Sequence, residues 1–374
     1  MLFLLIPFAL AAVVTLYVVH SSTRHGHLSA DHDLSGPQKF HARPVPRIGG
    51  VGIFVGLAGM VAVCYLQKSA NAQLGALLLL CGLPAFGAGL IEDFTKRVSP
   101  AKRLLATAVS AALGVFVLGA AITRTDIPGL DLIVGTTAGA FIATVFTVAG
   151  VANSVNIIDG FNGLSSMCVS LMLLALAYVA YQVGDTELAL WALAGVGAIL
   201  GFFVWNYPAG MIFLGDGGAY FMGFYLAEMG ILLISRHSEV SPLFALMVCI
   251  YPVFETVFSI YRRRVLRDVS PGAPDGIHLH SLIYRRLMRW AIGARDARVM
   301  TRRNSMTAPY LWTLCISSLA PALLFWDSTP MILACMVLFG ITYVALYWRI
   351  VRFRTPKWMV FRGDPRKVPG NEPR

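Results

Sequence analysis

The residues best suited to chemistry lie in a few short polar stretches between long apolar runs, and the most distinctive is 153–163, NSVNIIDGFNG. Asn153, Asn156 and Asp159 recur every three residues, which on a helical turn places them on one face. Gly160 and Gly163 let backbone approach a ligand and expose N–H groups where the next helix begins. Amides and a carboxylate beside apolar segments (131–152 and 164–183) are costly unless they bind something. The alternative is a plain polar turn between two spans.

A second stretch, GLIEDFTKRVSP, puts Glu92 and Asp93 side by side, where like charges repel unless a cation or proton sits between them. Metal or acid–base use fits; ion pairs to Lys96 and Arg97 are the bland reading. A third, NYPAGMIFLGDGGAYFMGF, holds one charge, Asp216, framed by Gly215, Gly217 and Gly218. That frame suits a carboxylate reaching a metal while helix N-terminal N–H groups reach phosphate oxygens. Phe213 offers a stacking face to a base. Further on, PDGIHLHSLIYRRL places His278 and His280 in an HxH pattern. Without further Cys or His nearby, zinc is disfavoured; help to a phosphate fits better, with Asp275 near enough to orient a ring. In PQKFHARPVPRIGG, Lys39, His41, Arg43 and Arg47 supply charge on a segment stiffened by Pro44 and Pro46. Such cations suit a phosphate or lipid headgroup, or serve as a topology anchor.

The elements that must position these residues are membrane helices. The 374-residue chain is 57% hydrophobic and 13% charged, with mean hydropathy +0.70, far from the roughly 25% charged of soluble domains. An all-α polytopic membrane protein is expected, because helices satisfy their own backbone in lipid. About eleven spans are read near 1–20, 48–66, 74–91, 104–122, 131–152, 164–183, 188–205, 218–235, 242–261, 307–325 and 330–350. The first run lacks a basic n-region and a cleavage site and reads as a retained span. Loops 21–47, 92–103 and 262–306 and the tail from 349 carry 27 of the 30 Lys and Arg. The other side holds Lys68, Arg124 and Arg236. This bias places the basic loops, and by alternation 153–163 and 206–217, in the cytoplasm, with the N-terminus periplasmic and the C-terminus cytoplasmic. The +11 charge is then topology signal plus attraction to anionic lipid and nucleotide, with no nucleic-acid partner. Residues 1–350 read as one integral-membrane catalytic domain and 351–374 as a basic cytoplasmic tail. The six cysteines fall in apolar runs without CxxC spacing and read as buried, reduced packing residues. Within the spans, Glu228 and Glu255 read as buried carboxylates that stabilise the bundle, Glu255 with a possible site role because it stands two turns from Arg262–Arg264.

In the order and spacing of these stretches, the chain resembles the polyprenyl-phosphate N-acetylhexosamine-1-phosphate transferases, over nearly its whole length. NxxNxxDGxxGL is the most specific element; GDGG and HxH support it. The resemblance implies a bacterial inner-membrane enzyme that uses Mg2+ (Mn2+ a possible substitute). It would move a sugar 1-phosphate from a UDP-N-acetylhexosamine to undecaprenyl phosphate and release UMP. It further implies catalytic roles for Asp93, Glu92, Asp159, His278 and His280, and metal roles for Asp216, Asp93 and Asp159. Substrate contacts would fall to Lys39, His41, Arg47, Asn153, Asn156, Asn162, Phe213, Gly215 and Arg264, with Phe213 on uracil. The lipid phosphate would attack directly, with Asp93 orienting it or taking its residual proton.

Departures narrow the match. Glu92 stands for an Asp, which counts against a nucleophile role there. Asn162 replaces a frequent second Asp, and Ala219 a common Ser. Ser281 replaces the third histidine of the peptidoglycan translocase form. With eleven spans and a cytoplasmic tail, the chain looks closer to the GlcNAc-1-phosphate branch of O-antigen and other surface-glycan synthesis. Phospho-MurNAc-pentapeptide translocase is the runner-up, a multispan transporter the rival from another class, and a homodimer is compatible with the apolar helix faces.

Overall fold

The computed structural model describes residues 1–22, 45–266, 276–288, 296–356 and 359–361. Every regular element among them is helical, and the Met288–Phe361 bridge stands isolated. The helices are α1 (Leu2–His20), α2 (Gly50–Leu66), α3 (Ala72–Thr95), α4 (Pro100–Leu113, ending in a π-helical turn Gly114–Leu118) and α5 (Leu130–Val134). They continue with α6 (Thr137–Ile158), α7 (Leu164–Gln182), α8 (Thr186–Asn206), α9 (Gly215–Arg236), α10 (Pro242–Val248) and α11 (Ile250–Leu266). Last come α12 (Leu279–Arg286), α13 (Ala297–Ser305), α14 (Ala308–Leu324) and α15 (Thr329–Val351).

Among the described residues nine helical stretches are long and apolar enough to cross a membrane, and ten if α10 and α11 form one broken span. The eleventh expected span, α2, has 17 residues and falls short of that length. Two boundaries moved for physical reasons. The expected span 242–261 breaks at Cys249, where α10 and α11 meet at 75°. Pro252 accounts for the break, since it has no N–H for the Val248 carbonyl four residues back. The expected loop 153–163 is helical up to Ile158, because Ser154, Val155 and Ile158 continue the buried face of α6.

Helix α9 is the axis of the bundle: every residue from Gly215 to Ile234 is buried. Glycines bring its neighbours in. A Cβ at Gly50 of α2 would lie 2.3 Å from Gly218 Cα, and one at Gly89 of α3 would lie 2.5 Å from Gly217 N. Without a hydrophobic driving force between helices in lipid, such small-residue contacts supply packing. Helix α1 uses the same device, with Gly197 and Gly201 of α8 against the carbonyls of Leu4 and Phe8.

The bundle has two polar ends. At one, Arg124 donates to the carbonyls of His237 (3.2 Å) and Val240 (2.5 Å), and Thr329 donates to Asp126 (2.7 Å). There too Asp185 caps α8 by accepting from Leu188 N–H (2.9 Å) and faces Arg236 (3.2 Å) and His237 (3.1 Å). Burial pushes its carboxyl up, but these three partners outweigh that and hold it below the usual carboxylate range. The other end gathers the acidic and amide residues described next. The cysteines are free; Cys335 is half-buried, not buried as expected. Glu228 is fully buried beside Gly114 of the π-turn, with no hydrogen-bond partner for either oxygen among the described residues. It is buried as expected.

Candidate active site

Four chain segments meet at the start of α9. Asp93, in the last turn of α3, is fully buried and accepts the backbone N–H groups of Asp216 (2.8 Å) and Gly217 (2.9 Å). The segment before α2 is stitched on by backbone: Phe213 N–H donates to Pro46 O (2.8 Å), and Gly49 and Gly50 N–H donate to Phe213 O (3.0 Å) and Leu214 O (2.9 Å). Gly215 adopts φ +77°, and a Cβ there would strike Arg47 O at 1.9 Å and Asp93 Oδ2 at 2.5 Å. Only glycine fits that junction.

Asp216 is the meeting point of the side chains. Asn156 Nδ2, in the last turn of α6, donates to its Oδ1 (2.9 Å). Arg103 of α4 pairs with its Oδ2, placed there because Ser99 caps the helix at Lys102 N–H and Pro100 opens it. Arg47 lies 3.9 Å from Asp216 and 4.0 Å from Asp93, so one guanidinium serves both acids. Tyr220, one turn along α9, lies under Arg103 (5.7 Å) and donates to Asn153 (3.3 Å). The spacing-of-three expectation thus holds for Asn153 and Asn156, which both face α9.

Asp159 ends α6 and accepts a bond from Ser165 Oγ. Burial pushes its carboxyl up to about 6; the Ser165 hydroxyl pulls it down, Asp216 pushes it up and Arg47 pulls it down. Beyond it lies the histidine pair. His278 and His280 stack at 5.2 Å and 17°, and His280 meets Phe161 edge-on at 5.5 Å. His278 Nδ1 lies 2.9 Å from Glu255 Oε1, which also accepts Leu279 N–H (3.1 Å), while Tyr343 OH donates to Oε2 (2.5 Å).

Several sequence expectations are revised. Glu92 is turned to the loop, where it accepts Val98 N–H (2.6 Å), so it supports the turn after α3 and is not part of this cluster. The α9 N-terminal N–H groups expected to reach phosphate are taken by Asp93. Asn162, expected among the substrate contacts, is buried against α13, where Asn304 and Ser305 take its N–H (2.9 Å) and side-chain amide (3.1 Å). Gly163 N–H, expected to be exposed, donates to Asn206 (2.6 Å). Arg264 is exposed at the end of α11, and Phe213 is half-buried. Lys39, His41, Arg43 and Asp275 lie outside the described residues. Arg103 was read only as topology charge, and its proximity to Asp216, 113 residues away, left no local mark.

Among the described residues no three His, Cys, Asp or Glu side chains are grouped to hold a metal ion. Asp93, Asp159 and Asp216 are therefore not gathered as a three-carboxylate set, and Asp93 faces inward to the backbone that opens α9. Asp216 is the carboxylate that remains, with hard oxygen donors and cations already drawn to it. Mg2+ commonly takes one or two carboxylates and fills its other positions with phosphate and water oxygens, so the donor chemistry fits that ion.

Residues 75–234, which contain the α3 acids, the Asn–Asn–Asp turn and the GDGG segment, match the family model described as Glycosyl transferase family 4. The chain is 28% identical to a Bacillus subtilis protein named probable undecaprenyl-phosphate N-acetylglucosaminyl 1-phosphate transferase, over 70% of this chain and 71% of that one. It is 28% identical to the undecaprenyl-phosphate alpha-N-acetylglucosaminyl 1-phosphate transferase of Yersinia pestis and 25% identical to that of Escherichia coli K12, each over 84% of both chains. Together with the motifs, these matches make the chain similar to the polyprenyl-phosphate N-acetylhexosamine-1-phosphate transferases, with residues 75–234 matching the glycosyl transferase family 4 model.

Proposed function

We propose that the protein transfers N-acetylhexosamine 1-phosphate, with GlcNAc as the sugar, from a UDP-sugar to undecaprenyl phosphate and releases UMP. The step opens a surface-glycan pathway at the cytoplasmic face of the bacterial inner membrane. The observation that carries this reading is Asp216 held between Asn156, Arg103 and Arg47 at the junction of four segments. An acidic group ringed by cations suits a site that must accept both a cation and phosphate oxygens. The names of the relatives support the substrates. Ser281, buried where the peptidoglycan translocase form has a histidine, favours the GlcNAc branch.

Two anionic substrates must be brought together, because a lipid phosphate monoester carries about 1.5 to 2 negative charges near neutral pH. Mg2+ held by Asp216 together with substrate oxygens would supply charge neutralisation. Arg103 and Arg47 add positive charge on the same side, and Asn156 keeps Asp216 oriented. A lipid-phosphate oxygen attacks the sugar-bound phosphorus as the bond to UMP breaks, with the departing charge left on UMP. Both Asp93 oxygens are engaged by backbone N–H groups, which supports direct attack over a covalent aspartyl intermediate. His278 and His280, stacked beyond the Asp159 turn, would hydrogen-bond the phosphate. Asp216, Asn156 and the two histidines come from elements whose basic loops would face the cytoplasm, and the eleven-span plan with a cytoplasmic tail belongs to the same proposal.

The test is UMP release from a panel of UDP-sugars with undecaprenyl phosphate in detergent. Release with UDP-GlcNAc is expected. Undecaprenyl phosphate carried across a bilayer with no UMP formed would turn the reading to a transporter.

A further inference from the structure

We propose that Glu255 is a positioning residue for this reaction, acting through His278 to hold both histidines against the turn that follows Asp159; the inference rests on the transferase reading above. Glu255 is 2% exposed in the apolar first half of α11, two turns before Arg262–Arg264. Three donors converge on it from two other elements: the His278 ring and Leu279 N–H of the HxH segment on Oε1, and Tyr343 OH of α15 on Oε2. A carboxylate with this set of neighbours only accepts, so the His278 ring proton is fixed on Nδ1 and Nε2 is left as its other hydrogen-bonding atom. The same Oε1 takes the N–H that opens α12, so one oxygen sets both the ring and the helix bearing it.

From His278 the order continues by contact. Its ring stacks on His280, which packs edge-on against Phe161 and whose Nε2 lies 3.2 Å from where a Cβ at Gly160 would stand. Tyr343, Glu255, His278 and His280 thus link the last helix to the Asp159 turn. Burying a carboxylate costs several kcal/mol unless it is fully bonded, and apolar replacements of buried ionic groups are often neutral or stabilising. Bundle stability alone therefore gives little reason for a carboxylate here. Orientation of a histidine does, and removal of such supporting partners typically costs 10- to 100-fold in function.

The test compares full-length Glu255→Gln, His278→Ala and the double variant, by UMP release in long incubations and by thermal unfolding in the same detergent. Gln keeps the acceptor for Nδ1–H but removes the charge. The expected result is a kcat about tenfold or more below wild type, a KM for the UDP-sugar within about twofold and an unchanged Tm. In the His278→Ala background the same change should cost nothing further. Wild-type kcat in Glu255→Gln, or an equal loss in both backgrounds, overturns the inference. If Glu255→Gln does not fold, Tyr343→Phe, which removes only the bond to Oε2, is compared in the same two backgrounds with the same outcomes. A wild-type protein that releases no UMP overturns the transferase reading and this inference together, whereas a failure confined to the variants overturns this inference alone.

Discussion

The Asp93 carboxylate accepts the backbone N–H of Asp216 at 2.8 Å and of Gly217 at 2.9 Å, so one acid of the site caps the helix that presents the other. The two carboxylates therefore do different work although they are neighbours. Asp93 faces inward and fixes the start of α9. Asp216 carries its side chain out to Asn156 and the arginines.

Substitutions at these two positions should separate accordingly. Asp93→Asn replaces a bidentate charged acceptor with an amide that can accept at one atom only, leaving a buried N–H short of a partner. It is expected to lower the Tm and to cost about 2–3 kcal/mol of stability along with activity. Asp216→Asn keeps the cap intact, so it should abolish UMP release with a much smaller change in Tm. Parallel melting curves and rate measurements check this; equal loss of Tm in both variants would contradict the division of roles.

Arg103 pairs with Oδ2 of Asp216, so it competes with any cation for that oxygen. Removal of divalent cations with a chelator is expected to stop UMP release, and added Mg2+ to restore it. Arg103→Gln removes a competing cation from Asp216 and also a positive charge for the substrate phosphates. The half-saturating Mg2+ concentration should fall while kcat drops about tenfold or more. A Mg2+ titration of both proteins decides the matter, and a higher Mg2+ requirement in the variant would place the ion elsewhere.

The parts of this site that follow a period were legible in the chain. Asn153 and Asn156 recur at helical spacing and do face α9 together, because three residues return to the same side of a helix. They belong to a helix and not to a loop: amides look like a turn, yet Ser154 and Val155 between them, and Ile158 after them, bury with the rest of α6. The Gly215 junction was readable as a glycine requirement, although the reason is Arg47 O and Asp93, not a phosphate. What had no local signature were pairings across long separations. Asp93 meets Asp216 and Gly217 across 123 and 124 residues, and Glu255 meets Tyr343 across 88. The break at Pro252 has a local signature, but a continuous apolar run reads as one span until the missing N–H is counted.

Gly160 separates the Asp159 turn from the histidines. A Cβ there would come within 3.2 Å of His280 Nε2 and 3.4 Å of its Cδ2, so the ring must give by a few tenths of an ångström. Gly160→Ala is expected to reduce kcat severalfold with little loss of Tm, since no backbone atom stands in the way. Unchanged kcat would show that His280 tolerates displacement and would weaken its link to the phosphate.

At the opposite end, Asp185 joins α8 to the end of α9 and the loop behind it. Its folded carboxyl titrates below the usual range, so its stabilising effect is present above the unfolded value of about 3.9 and is lost as pH falls through the folded value. Asp185→Asn loses the charged cap and the pairings with Arg236 and His237, and should cost about 1 kcal/mol at neutral pH. As the pH falls through the folded value the wild-type carboxyl itself becomes neutral, and the gap between the two melting temperatures should narrow relative to neutral pH. A gap of the same size at neutral pH and below the folded value would mean that the shape of the side chain, and not its charge, holds this end of the bundle together. Because the site lies at the other end, UMP release measured at a temperature where both proteins are folded should be equal, which separates a stability role from a catalytic one.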